Sequence, residues 1–364
     1  SLHKLNFLHL HLTEDQGWRV EIEKYPLLTQ IGSVRKKTNF NHKEHGGFYT
    51  KAQIKEIVEY AHNFAISVMP EFDIPGHSRS AMAGYSYLGC FDRKLPVADH
   101  WGVKHDVLCA GKDSTYEFIE DIIDELCDMF PDKYFHIGGD EVPKHRWHLC
   151  PHCQAKMKEL GLNNEDELQC YFMNRVNDYC KSKGKQAFMW SWDLKNDKLL
   201  SKDLGFTKCG DMKTGNRPFI DTSASAYYID LPYGYISLKD TAEHRLYSGN
   251  CLGSEVTLWT EYVPNMTRAD KVTYPRLGAM AQTVWHGNNT YEQFAENLDY
   301  YYSFLDKNGI GYSKPSKANP SKLLAFFQNL WFERRQLTWE GLTNIFDDLK
   351  VELLAKKQQH TTNC

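Results

Sequence analysis

Short apolar segments alternate with amphipathic, helix-like segments over most of this 364-residue chain. Strands are predicted at residues 5–12, 66–72, 186–192, 206–209, 223–229 and 255–260, and a further strand begins at Tyr134. The predicted helices are residues 50–65, 115–130, 168–183, 268–284 and 291–307. Repeated strand-then-helix units require parallel strands that are joined by right-handed crossovers. The pattern predicts an α/β fold of the TIM (β/α)8 barrel type, in which functional residues follow the strands.

The strand count and the C-terminal segment set the expected domain boundaries. A closed barrel of this type has eight strands, and one fewer is predicted, so we expect the first strand and helix to be missing from this chain. The barrel domain is expected over residues 1–312, and residues 313–364 are expected to form a C-terminal helical extension. The apolar positions at helical spacing there are Leu323, Phe326, Phe327, Leu330, Trp331, Leu342, Ile345, Phe346 and Leu349. A packed appendage is favoured, and a helix pair that binds a partner is the alternative.

Two adjacent carboxylates follow the strand that begins at Tyr134. The chain reads HIGGDE over residues 136–141, where the glycines let the backbone turn sharply and leave open space above the strand end. Neighbouring carboxylates in a partly dry cleft cannot both ionise freely, so one pKa should rise and produce a general acid beside an anion. The alternative is a solvated loop in which Asp140 or Glu141 caps the following helix.

Charge and composition argue against several functions. The formal net charge is -4 and the Lys and Arg residues are dispersed, so no basic surface for nucleic acid is expected. No apolar run reaches the length of a membrane span, and the N-terminus does not resemble a signal peptide. Aromatic residues make up 13% of the chain. Their flat faces suit sugar rings, although most aromatic side chains simply pack in protein cores.

The ten cysteines lack the pattern of a small disulfide-rich domain. Several fall in predicted helices or strands, where a reduced cysteine packs as a small apolar residue, and this favours a reducing, cytoplasmic location. Cys150 and Cys153 have the spacing of a zinc-binding pair, but no second Cys-x-x-Cys follows at a convincing interval. A thiol-rich loop is therefore favoured over a structural zinc, and no metal or cofactor is predicted.

Four segments in chain order resemble the strand ends of glycoside hydrolase family 20, the β-N-acetylhexosaminidases. These segments are LHLHLTEDQGWR at residues 8–19, PEFDIPGH at 70–77, HIGGDEV at 136–142 and LWTEY at 258–262. The resemblance covers roughly residues 4–310, with each segment at the correct strand end. It implies a barrel that hydrolyses terminal β-linked N-acetylglucosamine or N-acetylgalactosamine.

The resemblance also implies that the substrate supplies the nucleophile. In this family the 2-acetamido carbonyl oxygen attacks the anomeric carbon and gives an oxazolinium-like intermediate. Glu141 would protonate the leaving oxygen and later activate water, while Asp140 would orient the acetamide N–H and stabilise the developing positive charge. Adjacent carboxylates then make sense, because an ordinary two-carboxylate glycosidase needs them about 5 to 9.5 Å apart, on opposite sides of the bond.

Several positions match residues that support catalysis in this family. Asp15 and His77 resemble a pair that orients Glu141, and the alternative for each is a loop residue with satisfied hydrogen bonds. Trp190 and Trp259 resemble walls of the pocket around the acetamido methyl group. Packing in the core is the alternative for both rings.

Three further positions match residues that contact the sugar. Tyr228 and Asp230 match a pair that contacts the acetamido group and the sugar. Glu261 matches the carboxylate that binds the outer hydroxyls of the terminal sugar, and a surface charge is its alternative. That alternative is the weaker one, because Glu261 follows Trp259 by two residues at a predicted strand end.

Two departures from the family pattern bear on activity and substrate preference. The family usually has an arginine on the first barrel strand that grips the terminal sugar, and that strand is expected to be missing here. The sixth strand of the family commonly carries another pocket tryptophan, whereas this chain reads TKCGD over residues 207–211. The aromatic cage is therefore expected to be incomplete or rebuilt from loops.

The sequence thus predicts an exo-acting, retaining β-N-acetylhexosaminidase whose partner is a small-molecule or oligosaccharide substrate with a terminal N-acetylhexosamine. The alternative is a non-catalytic amino-sugar-binding protein or an inactive truncated remnant, which the retention of Asp140 and Glu141 disfavours. A metal hydrolase is weaker still, because Asp140, Glu141 and His136 do not make a convincing ligand set. The preferred sugar and the oligomeric state do not follow from the sequence.

Overall fold

The chain forms two compact units, each built on parallel strands and helices. The computed structural model describes residues 1–38, 42–191, 197–210, 213–287, 289–336, 348–353 and 355. Among the described residues, those in the ranges 6–205 and 348–355 belong to the N-terminal unit, and those in the ranges 1–5 and 206–336 belong to the C-terminal unit. Five residues of the predicted segments lie outside the described part of the chain: Trp192, Asp211, Leu342, Ile345 and Phe346.

Four parallel strands form the sheet of the N-terminal unit. They are β1 (Phe7–His11), β2 (Ser67–Glu71), β3 (Tyr134–His136) and β4 (Gln186–Trp190). β2 pairs with β1 and with β3, and β3 pairs with β4. Each of these strands falls on a predicted segment, so the alternation of apolar and helical segments is confirmed here. The expected strand before β1 and the boundary at residue 312 stay predictions.

Helices and short antiparallel ribbons complete the N-terminal unit. The helices are Leu27–Gln30, Lys51–His62, Arg79–Gly84, Asp113–Met129, His145–Leu149, Pro151–Leu160, Glu165–Ser182 and residues 348–353, with 3-10 turns at Ser86–Leu88 and Asp197–Leu199. The ribbons pair Thr13–Glu14 with Gly17–Trp18 and Val34–Arg35 with His45–Gly46.

The three longest helices of this unit form where the sequence predicts them. Thr50 caps the helix Lys51–His62, because its hydroxyl accepts from the Gln53 N–H and the Gln53 side chain accepts from the Thr50 N–H. This helix packs on β2 and on Asp113–Met129, which in turn packs on Glu165–Ser182. Each helix buries the apolar stripe that its spacing predicts.

Three parallel strands belong to the C-terminal part of the chain. They are β5 (Gly205–Lys208), β6 (Phe219–Asp221) and β7 (Cys251–Ser254), and β6 pairs with both neighbours. The predictions of strands at 223–229 and 255–260 are wrong, because β6 and β7 end just before these two segments. The two segments instead form irregular loops joined by one bridge, between Tyr228 and Thr257.

The described helices of the C-terminal unit are Leu238–Ala242, Met266–Thr273, Arg276–His286, Tyr291–Ala295, Leu298–Lys307, Pro315–Ala318 and Lys322–Gln336. All but Met266–Thr273 and Lys322–Gln336 contribute buried residues to one apolar cluster. The helix predicted at 268–284 is interrupted before Pro275, which has no N–H to continue it. In the last helix Phe332 is buried against Tyr235 and Tyr262. The predicted apolar positions Leu323, Phe326, Phe327 and Trp331 are exposed, so the packed appendage stays a prediction. Among the described helices, none combines the length and hydropathy that a membrane crossing requires.

Candidate active site

The turn after β3 requires its two glycines. Gly138 and Gly139 have φ angles of 64° and 101°, in the left-handed region that other residues rarely adopt. A Cβ on Gly138 would overlap the Asp73 carboxylate, and a Cβ on Gly139 would lie 2.8 Å from Met189 Cε. The Gly139 N–H also donates to Asp73 Oδ1 over 3.2 Å. The backbone that presents Asp140 is therefore fixed by close packing on both sides.

Both carboxylates of this turn approach the same imidazole. His77 Nε2 lies 3.6 Å from Glu141 Oε2 and 3.9 Å from Asp140 Oδ2. The Glu141 side chain is 38% exposed, whereas those of Asp140 and His77 are largely buried. Both carboxylates thus approach one nitrogen of His77, and Glu141 is the more exposed of the two.

A carboxylate on the second side of His77 determines its charge. His77 Nδ1 lies 2.9 Å from Glu14 Oε1, in hydrogen-bond contact. Burial lowers the pKa of His77, but the charges of Glu14 and Asp73 raise it well above its usual value. The imidazole is therefore held as a cation beside Asp140 and Glu141.

The predicted role of Asp15 and His77 as a pair that orients Glu141 stays a prediction, and an Asp15 carboxylate oxygen lies within 4.8 Å of a His77 nitrogen. Asp15 is buried, and its Oδ1 accepts a hydrogen bond of 2.9 Å from the Arg79 backbone N–H, at the start of the helix Arg79–Gly84. Burial and the neighbouring charge of Glu14 raise the pKa of Asp15 to about 6. Asp15 thus fixes the loop that carries His77, and Glu14 is the residue that contacts the imidazole.

Burial also changes the ionisation of Asp140, the other carboxylate of the turn. It raises the pKa of Asp140, and the buried Asp73 has its pKa raised well above the usual range by burial and by the charge of Asp140. Two carboxylates that share a dry space cannot both ionise freely. The cationic His77 opposes this effect on both of them.

A buried glutamate links the strands beneath the turn. The register places His11 opposite Glu71 on β1 and β2, and His136 opposite Glu71 on β3. The Glu71 carboxylate lies 2.7 Å from His11 Nδ1 and 3.0 Å from His136 Nδ1. Although burial alone would raise the pKa of Glu71, the charges and hydrogen bonds of His136 and His11 hold it well below its usual range. The interior of this sheet is thus ionic where a barrel usually packs branched apolar side chains.

Trp190 belongs to this buried group. Its ring is 2% exposed and lies beside the rings of His9 and His136, with centroids 6.3 Å and 5.1 Å away. Its Nε1 donates a hydrogen bond of 2.6 Å to Glu71 Oε1. The prediction that Trp190 forms a pocket wall is therefore wrong, because neither face of the ring is open to a sugar, and core packing is confirmed.

We expect Glu71→Gln to lower the free energy of unfolding by about 3–5 kcal/mol, because the variant leaves the protonated His11 without its buried anion. Urea unfolding of the whole chain measures the loss. Glu56→Gln, on the exposed side of the helix Lys51–His62, is the matched control and should stay within about 0.5 kcal/mol of the parent. Equal stabilities for the two variants would contradict the ionic role of Glu71.

The sugar-contact residues predicted in the C-terminal unit lie close together. The rings of Tyr228 and Trp259 are 6.2 Å apart and both are half-buried, so they keep exposed surface. Asp230 is buried, and burial together with the charge of Glu261 raises its pKa to about 7. The loops that follow β6 and β7 therefore bring all four residues into one cluster.

A buried arginine that the sequence did not single out supports this cluster. The Arg276 guanidinium donates to the backbone carbonyls of Ile229, Leu231, Ile236 and Val272 over 2.5 to 3.0 Å. These bonds replace the strand pairing that was predicted at residues 223–229. A Tyr-x-Asp segment without regular hydrogen bonds is thereby held in one conformation.

The residues that sequence reasoning missed lie mostly inside the quoted motifs. Glu14 and His11 are in the segment 8–19, and Glu71 and Asp73 are in the segment 70–77. Spacing by two along a strand was the available signal, because His9 and His11, or Glu71 and Asp73, lie on the same face. Arg276 had no such signal, since its partners are backbone carbonyls.

Comparisons with known proteins point to one family. The family model described as glycosyl hydrolase family 20, catalytic domain, matches residues 1–237 and 211–288. A curated beta-hexosaminidase of Porphyromonas gingivalis is 37% identical over 361 residues, which cover 90% of this chain and 45% of the relative. A beta-hexosaminidase of Vibrio furnissii is 33% identical, over 77% of this chain and 51% of the relative. The chain spans about half the length of these relatives.

Solved structures of the same family resemble the fold. The Vibrio harveyi exo beta-N-acetylglucosaminidase, in complex with N-acetylglucosamine, has a TM-score of 0.76 at 27% identity and covers 86% of this chain and 55% of its own. The Bacteroides fragilis beta-N-acetylhexosaminidase has a TM-score of 0.75 at 30% identity, over 88% of this chain and 69% of its own. Sequence and structure comparisons thus agree.

Proposed function

This chain belongs to glycosyl hydrolase family 20, whose catalytic domain has the TIM barrel fold, and on that basis we propose that it is an exo-acting β-N-acetylhexosaminidase. Its substrates would be glycoconjugates or oligosaccharides that end in β-linked N-acetylglucosamine or N-acetylgalactosamine. Hydrolysis would proceed with retention at the anomeric carbon, and the acetamido group of the substrate would act as the nucleophile.

One observation carries this proposal: Asp140 and Glu141 approach the same nitrogen of His77. A glycosidase with two independent carboxylates places them on opposite sides of the scissile bond. Asp140 and Glu141 are neighbours in the chain and both approach one imidazole nitrogen, which favours joint action over that arrangement. They can act together from one side, which leaves the attack on the anomeric carbon to the substrate.

In the first step the acetamido oxygen forms a bond to the anomeric carbon while the glycosidic bond breaks. Glu141 gives its proton to the leaving oxygen, and Asp140 accepts a hydrogen bond from the acetamide N–H as positive charge develops there. In the second step Glu141 takes a proton from water, and the resulting hydroxide opens the oxazolinium ring. The cationic His77 stabilises the Glu141 carboxylate between these two steps.

The cluster in the C-terminal unit is proposed to bind the sugar. Tyr228 and Trp259 keep exposed ring surface, which suits the apolar acetamido methyl group. Asp230 and Glu261 supply acceptors for amide and hydroxyl hydrogens. Because burial raises the pKa of Asp230 to about 7, a hydrogen bond from the substrate would favour its ionised form.

We expect a thiazoline analogue of the oxazolinium intermediate to inhibit the protein at least about 10²-fold more tightly than N-acetylglucosamine does. The analogue carries a fused ring like the one that the substrate has only after its acetamido oxygen has bonded to the anomeric carbon. The assay follows release of nitrophenol from a nitrophenyl β-N-acetylglucosaminide. A nitrophenyl β-glucoside, which lacks the acetamido group, is the matched control and should not be turned over.

Two outcomes would contradict separate parts of the proposal. Turnover of the N-acetylglucosaminide with equal inhibition by the thiazoline and by N-acetylglucosamine would remove the acetamido group from the mechanism. Tight binding of N-acetylglucosamine without any turnover would instead favour a non-catalytic amino-sugar-binding protein.

A further inference from the structure

Four cysteine sulfurs converge in the N-terminal unit. Cys109 Sγ lies 3.7 Å from Cys150 Sγ and 3.6 Å from Cys153 Sγ, and Cys90 Sγ lies 3.9 Å from Cys153 Sγ. All four sulfurs fall within 4.8 Å of one another, and all four side chains are buried. The Cys-x-x-Cys pair of the sequence therefore has two partners, which lie upstream of it in the chain.

One pair of sulfurs comes from the two ends of a long loop. An antiparallel bridge between Gly89 and Leu108 brings the ends of this loop together. The Cys109 N–H donates to the Leu88 carbonyl over 2.8 Å, so that Cys90 and Cys109 lie side by side. Because Cys90 and Cys109 are far apart in the sequence, the spacing typical of zinc-binding cysteines did not identify them.

The other pair lies at the start of a helix. Cys150 is the residue before the helix Pro151–Leu160, and Cys153 lies in its first turn. The positive end of a helix favours a thiolate at this position. Trp147 Nε1 donates to the Leu108 carbonyl over 2.9 Å and fastens this corner to the loop.

The spacing of the sulfurs fits one tetrahedral metal ion. Zinc–sulfur bonds of about 2.3 Å at tetrahedral angles place the sulfurs about 3.8 Å apart. A disulfide would bring two sulfurs to about 2.05 Å, and the described cysteines form none. The three measured distances lie on either side of the tetrahedral value, so the four thiols are arranged around a common centre.

The surroundings of the cluster are closed and suit a structural ion. A Cβ on Gly111 would overlap the His152 carbonyl carbon, so the loop is pressed directly against the Cys150–Cys153 turn. The Lys112 ammonium donates to the Gly89 carbonyl over 2.8 Å and to Asp92 Oδ1 over 2.6 Å, and so links the segment before Cys90 to the segment after it. The helix N-terminus offsets part of the negative charge of a four-thiolate site.

We propose that Cys90, Cys109, Cys150 and Cys153 bind one structural Zn²⁺ ion. Binding releases the thiol protons, and four sulfur ligands leave no position open for water, so the ion supports the fold and takes no part in hydrolysis. The ion joins Cys90 and Cys109 to the start of the helix Pro151–Leu160. The inference rests on the four sulfurs alone and does not depend on the proposed function.

The metal content of the unaltered protein tests the proposal directly. The chain is expressed without a polyhistidine tag in medium that contains zinc and iron, and its metals are measured by mass spectrometry. We expect roughly one zinc ion per chain. After exchange with cobalt, the visible and near-ultraviolet spectrum should show the intense bands of tetrahedral cobalt thiolate. A protein without bound metal, or one that holds iron instead, would overturn the assignment.

Two cysteine variants locate the ion. Cys109→Ser should reduce the zinc content to less than about a tenth of the parent value. Cys127→Ser, on the helix Asp113–Met129 and outside the cluster, should keep it. Full zinc content in Cys109→Ser would overturn the site, and if that variant does not fold, the metal content and cobalt spectrum of the unaltered protein still decide.

Discussion

Glu141→Gln is expected to lower kcat for a nitrophenyl β-N-acetylglucosaminide by about 10²–10⁴-fold, with KM nearly unchanged. Glutamine keeps the size of the side chain and its contact with His77, but it cannot give a proton to the leaving oxygen. The loss should shrink for a dinitrophenyl leaving group, which departs without protonation. This dependence on the leaving group separates a general acid from a residue that only shapes the site.

The matched control for this variant is Glu59→Gln, an exposed position on the helix Lys51–His62. It removes the same charge far along the chain from the turn and should leave kcat unchanged. Steady-state rates with both substrates measure the effect. If Glu141→Gln turns over the mononitrophenyl substrate at the parent rate, Glu141 is not the acid.

Asp140→Asn is expected to lower kcat by about 10²–10³-fold, the usual loss when one stabilising partner of a developing charge is removed. The amide would present N–H groups to the acetamide N–H, so the oxazolinium charge would lose its anion. Affinity for the thiazoline analogue should fall together with kcat, because both report the same interaction. Inhibition constants and rates are measured on the same preparation.

Asp178→Asn provides the control for Asp140→Asn. Asp178 is largely exposed on the helix Glu165–Ser182, and its loss should change neither rate nor inhibition. A lower kcat with undiminished thiazoline affinity in Asp140→Asn would contradict the role of Asp140 as the partner of the acetamido group. Circular dichroism of both variants excludes a general loss of structure.

The N-terminal unit was largely predictable because local signals and tertiary structure agree there. Thr50 caps a helix that was predicted to begin at residue 50, and the glycines at 138 and 139 form the turn that their backbone freedom suggested. The C-terminal strands were displaced because buried loop residues, such as Tyr227 and Ile229, give the same apolar pattern as a strand. Arg276 donates hydrogen bonds to the backbone carbonyls of that loop, and no local sequence pattern predicts such an arginine.

The details of the site escaped prediction for a different reason. Whether His77 contacts Glu14 or Asp15 depends on which way each neighbouring side chain points, and spacing alone does not decide this. The family resemblance placed Trp190 in the pocket wall, yet its N–H donates to Glu71 in the core. The four-cysteine cluster depends on a contact between two distant segments.

The backbone conformation of Glu141 and His77 limits which substitutions this protein can accept. Glu141 and His77 have φ angles of 47° and 48°, a conformation that costs a non-glycine residue about 1–3 kcal/mol. Glycine at either position would relieve that cost and abolish the side chain that the site needs. Selection for a robust fold and selection for turnover therefore oppose each other at these two residues. Compensating substitutions that raise stability are to be sought elsewhere, in the helices and loops remote from the turn.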